Sequence, residues 1–202
     1  GGDLSTSSAL TLSVTVIGDM EGRSPVLRSG AKPGDIVAVS GQPGRSERGF
    51  RLLEQATLDD GGVLSASSRD RLLADSDVVH HLAPSTKLDL GPQAADAGAH
   101  ALMDVSDGLA LDATRLAEAS SVIIDFDQSA VVDEAWLVGG EDHGFLATFP
   151  PDATIPEGFL PVGVVRQLEE GGPRALVGGA PITAPTMGWD PYRDSVSTQV
   201  SP

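Results

Sequence analysis

Three aspartates fall within nine residues of one short stretch, Asp104, Asp107 and Asp112 in "DVSDGLALD", and Ser106 stands between the first two. Carboxylates brought that close repel one another unless a cation neutralises them, so the spacing suggests a divalent-metal site built on hard oxygen ligands. A structural reading accounts for part of the pattern. Leu109, Ala113, Leu116 and Ala117 follow at helical spacing, which puts Ser106 or Asp107 where an N-cap would satisfy orphan amides at the positive end of the helix dipole. Capping leaves Asp104 unexplained. It stands next to last in the short stretch "ALMDV", at a strand's carboxyl end, and open α/β sheets place ligands beyond the carboxyl ends of such strands.

Other chemistry-bearing residues are scattered. In "WLVGGEDHGFLATF" a tight glycine turn would present Glu141 and Asp142 between two strands, and on spacing alone these read as turn residues rather than ligands. His80 and His81 are adjacent; on a helix their side chains diverge by about 100°. No third ligand is evident nearby, so surface or packing roles are the simpler reading against a metal pair. Trp189 reads as an aromatic cap on the core. "GQPGRSERG" lacks the Gly-Lys-Ser/Thr ending of a Walker A loop.

These residues sit in a chain of 202 residues with a formal charge of −16. That length can bury a real core in one domain or at most two, and the charge argues against a nucleic-acid partner. Zero cysteines exclude disulfides, thiolate catalysis and cysteine zinc sites, leaving oxygen ligands or histidines for any metal, with Mg²⁺ the natural suspect. No apolar run is long enough to span a bilayer and the start "GGDLSTSSAL" has no signal-peptide character. A soluble, cytoplasmic protein is expected, without a membrane partner.

The elements that must position the candidates alternate between strand and helix, an α/β (α+β) pattern. Leu10, Leu12, Val14 and Val16 alternate with polar residues as in a strand, and "KPGD" makes a turn before the buried strand "IVAV". "SERGFRLLEQA" reads as a helix capped near Ser46 with Phe50, Leu52 and Leu53 on its buried face, residues 59–68 as a loop, and "SRDRLLADSDVVHHL" as helix or irregular. "FLPVGVV" is a further short strand.

Taken in order, "GGDL", "VIGDMEGRSPVLRSGAKPGDIVAVSGQPGRSERGFRLL", "LMDVSDGLALD", "GGEDHGFL" and "PVGVV" resemble the thiamine-monophosphate kinase family, within the superfamily of aminoimidazole ribonucleotide synthetase. The resemblance spans nearly the whole chain. It implies a mixed sheet with helices, the C-terminal α/β domain over residues 25–202, preceded in residues 1–24 by the last strand and end of an N-terminal ATP-binding and dimerisation domain. The rest of that domain is absent from the sequence, as is a longer excursion usual between Asp125 and Glu141, so a truncated chain, inactive alone, is expected.

The implied activity transfers the γ-phosphoryl of ATP to thiamine phosphate, with Mg²⁺, in a homodimer. By the same resemblance, Asp3, Asp104 and Asp107 match metal ligands, the latter two central to catalysis; Gly2, Asp3, Arg28 and Ser106 match nucleotide contacts; Glu141 and Trp189 match substrate contacts. His143 stands where the family most often has tyrosine and carries no assigned role. Two alternatives stay open: another ATP-dependent enzyme of the superfamily, and an acidic module that binds metal without turnover.

Overall fold

The computed structural model describes residues 12–182 and 187–190. Its described strands are β1 (Ile36–Ser40), β2 (Ala101–Val105), β3 (Val122–Phe126), β4 (Gly144–Phe149), β5 (Phe159–Gln167), β6 (Ala175–Val177) and β7 (Ala180–Pro181). They form one mixed sheet in the order β2-β4-β1-β5-β3-β6-β7, antiparallel throughout except for the parallel pair β3 and β6. The helices are α1 (Arg45–Asp59), α2 (Ala66–Leu73), α3 (Ser76–Leu82), α4 (Leu90–Asp96), α5 (Leu109–Ser120) and α6 (Glu134–Val138).

Strand alternation divides the sheet into two apolar faces. Val37, Val39, Ile124, Leu146 and Val162 pack on one side against Leu109, Ala113, Leu116 and Ala117 of α5 and Trp136 of α6. The helical periodicity expected for α5 is thus the stripe that faces the sheet. On the other side Ala38, Ala147, Phe149 and Phe159 pack against Leu90 and Ala94 of α4. Helices α1, α2 and α3 enclose a small cluster of their own around Ala56, Leu72 and Val78. Fully buried Leu109, Leu116, Ile124 and Phe126 each contribute about 1.5–3 kcal/mol by leaving water.

Register decides where the functional loops meet. Val39 pairs with Leu146 and Val105 with Gly144. The ends of β1 and β2 and the beginning of β4 therefore share one edge of the sheet, and the loops that follow or precede them converge there.

Several local expectations change. No strand forms over the described residues 12–16; Leu12, Val14, Val16 and Ile17 are 83–92% exposed. Alternation specifies two faces but not a partner, and no edge of the sheet pairs with this segment. Residues 136–138, expected as a strand before the glycine turn, are helical, since the four-residue apolar run 135–138 carries no period that separates helix from strand. Helix α2 begins at Ala66, within the stretch expected as loop, because Ser65 supplies an N-cap by accepting from Ser68 N. Helix α1 starts at Arg45, one residue before Ser46, and follows a left-handed Gly44 whose added Cβ would lie 2.6 Å from the Ala135 carbonyl carbon. Its buried face is lined by Ser46, Gly49 and Ala56. Phe50 and Leu52 are 45% and 44% exposed instead.

Candidate active site

At the shared edge, β2 ends in Val105 and the chain turns through Ser106, Asp107 and Gly108 into α5. Neither Ser106 nor Asp107 caps the helix. Asp112, inside its first turn, reaches back and accepts from Ser106 N (3.0 Å) and Asp107 N (3.1 Å) through Oδ2. Asp107 is thereby left to point outward, where Ser106 Oγ donates to its Oδ1 (3.0 Å) and Arg115 Nη1 to its Oδ2 (2.5 Å). Arg115 also bonds Asp112 Oδ1 at 2.7 Å, so one guanidinium ties the outward carboxylate to the buried one. Burial pushes the Asp112 carboxyl up from its ordinary value, against the opposing pull of the two amides and Arg115. For Arg115, burial lowers the pKa, but Asp107 and Asp112 outweigh it and the guanidinium ends more firmly protonated.

Two more loops dock on this turn through glycine. A Cβ on Gly140 would lie 2.5 Å from Ser106 O and one on Gly188 2.3 Å from Asp107 O, while Gly108 sits under Val138 O. The close approach allows Glu141 N to donate to Ser106 O and Trp189 N to donate to Asp107 O, each at 2.8 Å. The result is a cleft of about 260 Å³ lined by Ser106, Asp107, Glu141 and Trp189 together with Phe50 and His81 of the helical cluster. The Trp189 side chain is 61% exposed. It is not the core cap expected from sequence, and its ring is open to a ligand.

The remaining acidic residue of the glycine turn has a different task. Asp142 is buried and accepts from Gly44 N (2.5 Å) and Ser46 N (2.7 Å), capping α1 from across the sheet edge. Burial pushes its carboxyl up, against those amides and His80. The two histidines differ: His80 Nε2 lies 3.2 Å from Asp142 Oδ1 without making a hydrogen bond, whereas His81 Nδ1 meets Ser46 Oγ at 2.8 Å with its ring 5.5 Å from that of Phe50.

Of the residues singled out in the sequence, Ser106, Asp107, Glu141 and Trp189 come together and Asp104 and Arg28 do not. Asp104 pairs with Phe145 across β2 and β4 and alternates with Met103 and Val105, so its side chain leaves the sheet on the face away from α5. Arg28 is exposed beside the far end of α5, where its carbonyl accepts from Ser120 Oγ at 2.8 Å. Gly2 and Asp3 lie outside the described residues. Among the described residues no three His, Asp or Glu side chains are grouped to hold a metal, and no helix is long and apolar enough to cross a membrane.

Sequence reasoning missed Arg115 and Asp142 as site residues. Arg115 carried a readable signal, since it stands three residues after Asp112 on one helix and such pairs face each other. Asp142 carried none: its partner amides are 96 and 98 positions away.

The chain is similar to known proteins over most of its length. Residues 32–160 match the family model described as AIR synthase related protein, C-terminal domain. A thiamine-monophosphate kinase of Mycobacterium tuberculosis (strain CDC 1551 / Oshkosh) is 37% identical over 95% of this chain and 57% of its own length. The crystal structure of thiamine monophosphate kinase from Aquifex aeolicus superposes with a TM-score of 0.61 at 30% identity, covering 78% of this chain and 54% of that one. A structure described as AaThiL complexed with AMPPCP and TMP gives a TM-score of 0.64 at 30% identity, over 81% of this chain and 53% of that one. The chain thus spans little more than half the length of these proteins.

Proposed function

The chain belongs to the AIR synthase related family, whose C-terminal domain it carries, and we propose that it serves an ATP-dependent kinase that converts thiamine phosphate to thiamine diphosphate and ADP. One observation carries the reading: three loops distant in sequence meet backbone to backbone so that Ser106, Asp107, Glu141 and Trp189 line a single cleft. The similarity to thiamine-monophosphate kinases, and to a structure holding AMPPCP and TMP, supports it.

The residues suit the reaction. A thiazolium is cationic, so the open face of Trp189 and the Glu141 carboxylate both favour it. The acceptor is a phosphate whose second pKa is about 6, already ionised at neutral pH, so no general base is needed. Catalysis then rests on positioning and on neutralising charge. Ser106 and Arg115 hold the Asp107 carboxylate in one orientation beside the cleft. Mg²⁺ would supply charge neutralisation in such a transfer. The described residues do not make a complete site for it, because Asp107 is already met by Arg115 and Asp104 leaves the opposite face. Asp3, Asp104 and Asp107 as metal ligands, and Gly2 and Arg28 as nucleotide contacts, are proposed on the resemblance alone.

The domain reading joins it. Residues 1–24 are proposed to end an N-terminal ATP-binding and dimerisation domain, with residues 25–202 as the C-terminal domain. The exposed alternation of Leu12, Val14 and Val16 suits a strand that such a domain would cover. A cytoplasmic homodimer follows from the same proposal.

The test mixes the complete protein with ATP, Mg²⁺ and thiamine phosphate and reads the products by mass. Thiamine diphosphate and ADP in equal amounts are expected. ADP with free orthophosphate, or no ADP, would move the assignment to another superfamily enzyme or to a binding module.

A further inference from the structure

A second cleft lies on the other side of the 140–144 loop. It encloses about 340 Å³ between Arg45, His80, Lys87, Asp142 and His143, with Leu90 in its wall. None of these residues lines the cleft that holds Asp107 and Trp189. The loop deals its side chains to both: Glu141 to the first, Asp142 and His143 to the second. Glu141 (φ 63°) and His143 (φ 53°) both adopt the left-handed conformation on either side of Asp142. Such strain in non-glycine residues persists where surrounding structure enforces it, and it concentrates at binding sites.

The cleft's charge runs against that of the molecule. The chain carries −16 overall and only two lysines, yet one of them is here beside an arginine and two histidines. Asp142 is the single carboxylate in the lining, and its two oxygens are taken by the amides of Gly44 and Ser46; from outside the lining, exposed Glu141 brings its Oε2 to 3.2 Å from His143 Nε2, a contact that a bound anion would compete for. Among the described residues no carboxylate pairs with Lys87, whereas Arg45 is fixed by Asp77 and the Ser76 carbonyl. His80 Nε2 is buried without a hydrogen-bond partner, Asp142 Oδ1 at 3.2 Å being its nearest charged neighbour. A buried nitrogen left in that state is costly unless something else meets it.

Ser40, Ser85 and Thr86 line the same space. Ser40 Oγ accepts from Phe145 N at 2.8 Å, which leaves its own proton to donate elsewhere. A lysine, the unbonded His80 nitrogen and the Ser40 hydroxyl, with His143, Ser85 and Thr86 in the same lining, offer more donors than a carboxylate's two oxygens use and match a tetrahedral oxyanion. The apolar wall at Leu90 and the volume suit a small organic group attached to it.

We propose that this cleft is a second ligand site that binds a small phosphomonoester, with the phosphate among Lys87, His80 and His143. The site is separate from the kinase reaction proposed above and stands or falls independently of it. The 140–144 loop links the two clefts directly, because Glu141 N is bonded to Ser106 O.

Isothermal titration calorimetry of the complete protein with glycerol 3-phosphate, without nucleotide, tests the site. Lys87 is exposed and partnerless among the described residues, so Lys87→Glu preserves the fold, checked by an unchanged thermal midpoint. Saturable binding is expected, weakened about tenfold or more in Lys87→Glu by loss of a charge-assisted contact and unchanged in Trp189→Ala. Equal affinity in wild type and Lys87→Glu overturns the proposal, as does absence of binding to the wild type. Loss of binding in Trp189→Ala also overturns it, by putting the phosphate in the first cleft.

Discussion

Asp142 Oδ1 accepts a hydrogen bond from Ser46 N at 2.7 Å although the two residues are 96 positions apart. A loop that lines the candidate active site is therefore also the N-cap of α1, and the fold and the site share one carboxylate. Asp142→Ala leaves the amides of Gly44 and Ser46 buried without an acceptor. A loss of about 1–3 kcal/mol in urea unfolding is expected, with a smaller loss for Asp142→Asn, which keeps one acceptor oxygen. Equal stability of wild type and Asp142→Ala would show that water replaces the cap.

Arg115 is expected to matter to stability and Asp107 to turnover. Arg115→Gln strips the cation from Asp112, which is 1% exposed, and should cost about 1–3 kcal/mol for a buried charge left short of a partner. Asp107→Asn keeps the shape and the Ser106 contact while removing the outward charge. The complete protein should then lose turnover in the thiamine phosphate assay, while loss of the partly exposed ion pair with Arg115 costs no more than about 1 kcal/mol in urea unfolding. Substantial remaining activity would remove Asp107 from the reaction.

Gly188 is the point where the third loop docks. A Cβ there would stand 2.3 Å from Asp107 O, at a φ of +121° that side chains rarely adopt. Gly188→Ala should push Trp189 off the cleft without disturbing the sheet. The expected result is a KM for thiamine phosphate raised about tenfold, the loss of one stacking contact with a cationic ring, and a thermal midpoint close to wild type. An unchanged KM would mean that Trp189 does not meet the substrate.

The sequence is legible here wherever one period dominates over a long enough run. The stripe Leu109, Ala113, Leu116 and Ala117 predicts the buried face of α5 directly, and "IVAV" and "FLPVGVV" are strands as their β-branched content implies. The grouping of Ser106, Asp107, Glu141 and Trp189 follows from the resemblance of ordered motifs, whereas spacing alone left Glu141 a turn residue and Trp189 a core residue. What stayed hidden depends on contacts that no local window contains. Ser46 is a good cap by residue type, but the cap is Asp142, delivered by strand register. Phe50 fits the apolar face of α1, yet glycine at 49 brings α3 so near, with a Cβ only 2.2 Å from Asp77 O, that small residues fill that contact and Phe50 turns toward the cleft. Alternation at Leu12, Val14 and Val16 named a strand and could not name its partner.

The junction of α1 and α3 also fixes a pH dependence. Asp77 Oδ1 meets Arg45 Nε at 2.7 Å and its Oδ2 meets Arg48 Nε at 3.1 Å. Burial works to raise the Asp77 pKa, but the two arginines outweigh it and hold the carboxyl below its ordinary value. A carboxyl whose folded pKa lies below its unfolded pKa stabilises the protein above the unfolded value, about 3.9, and that contribution is lost as pH falls through the folded value. Asp77→Asn has no charge to titrate and serves as the reference. The stability difference between wild type and Asp77→Asn, measured by urea unfolding, should hold steady from about pH 7 to about pH 5 and shrink toward about pH 3. With these side chains a quarter to a third exposed, a difference of about 1 kcal/mol at neutral pH is expected. A difference that grew on acidification would mean that the arginines do not control this carboxylate, and that α3 is held to α1 by the glycine contact alone.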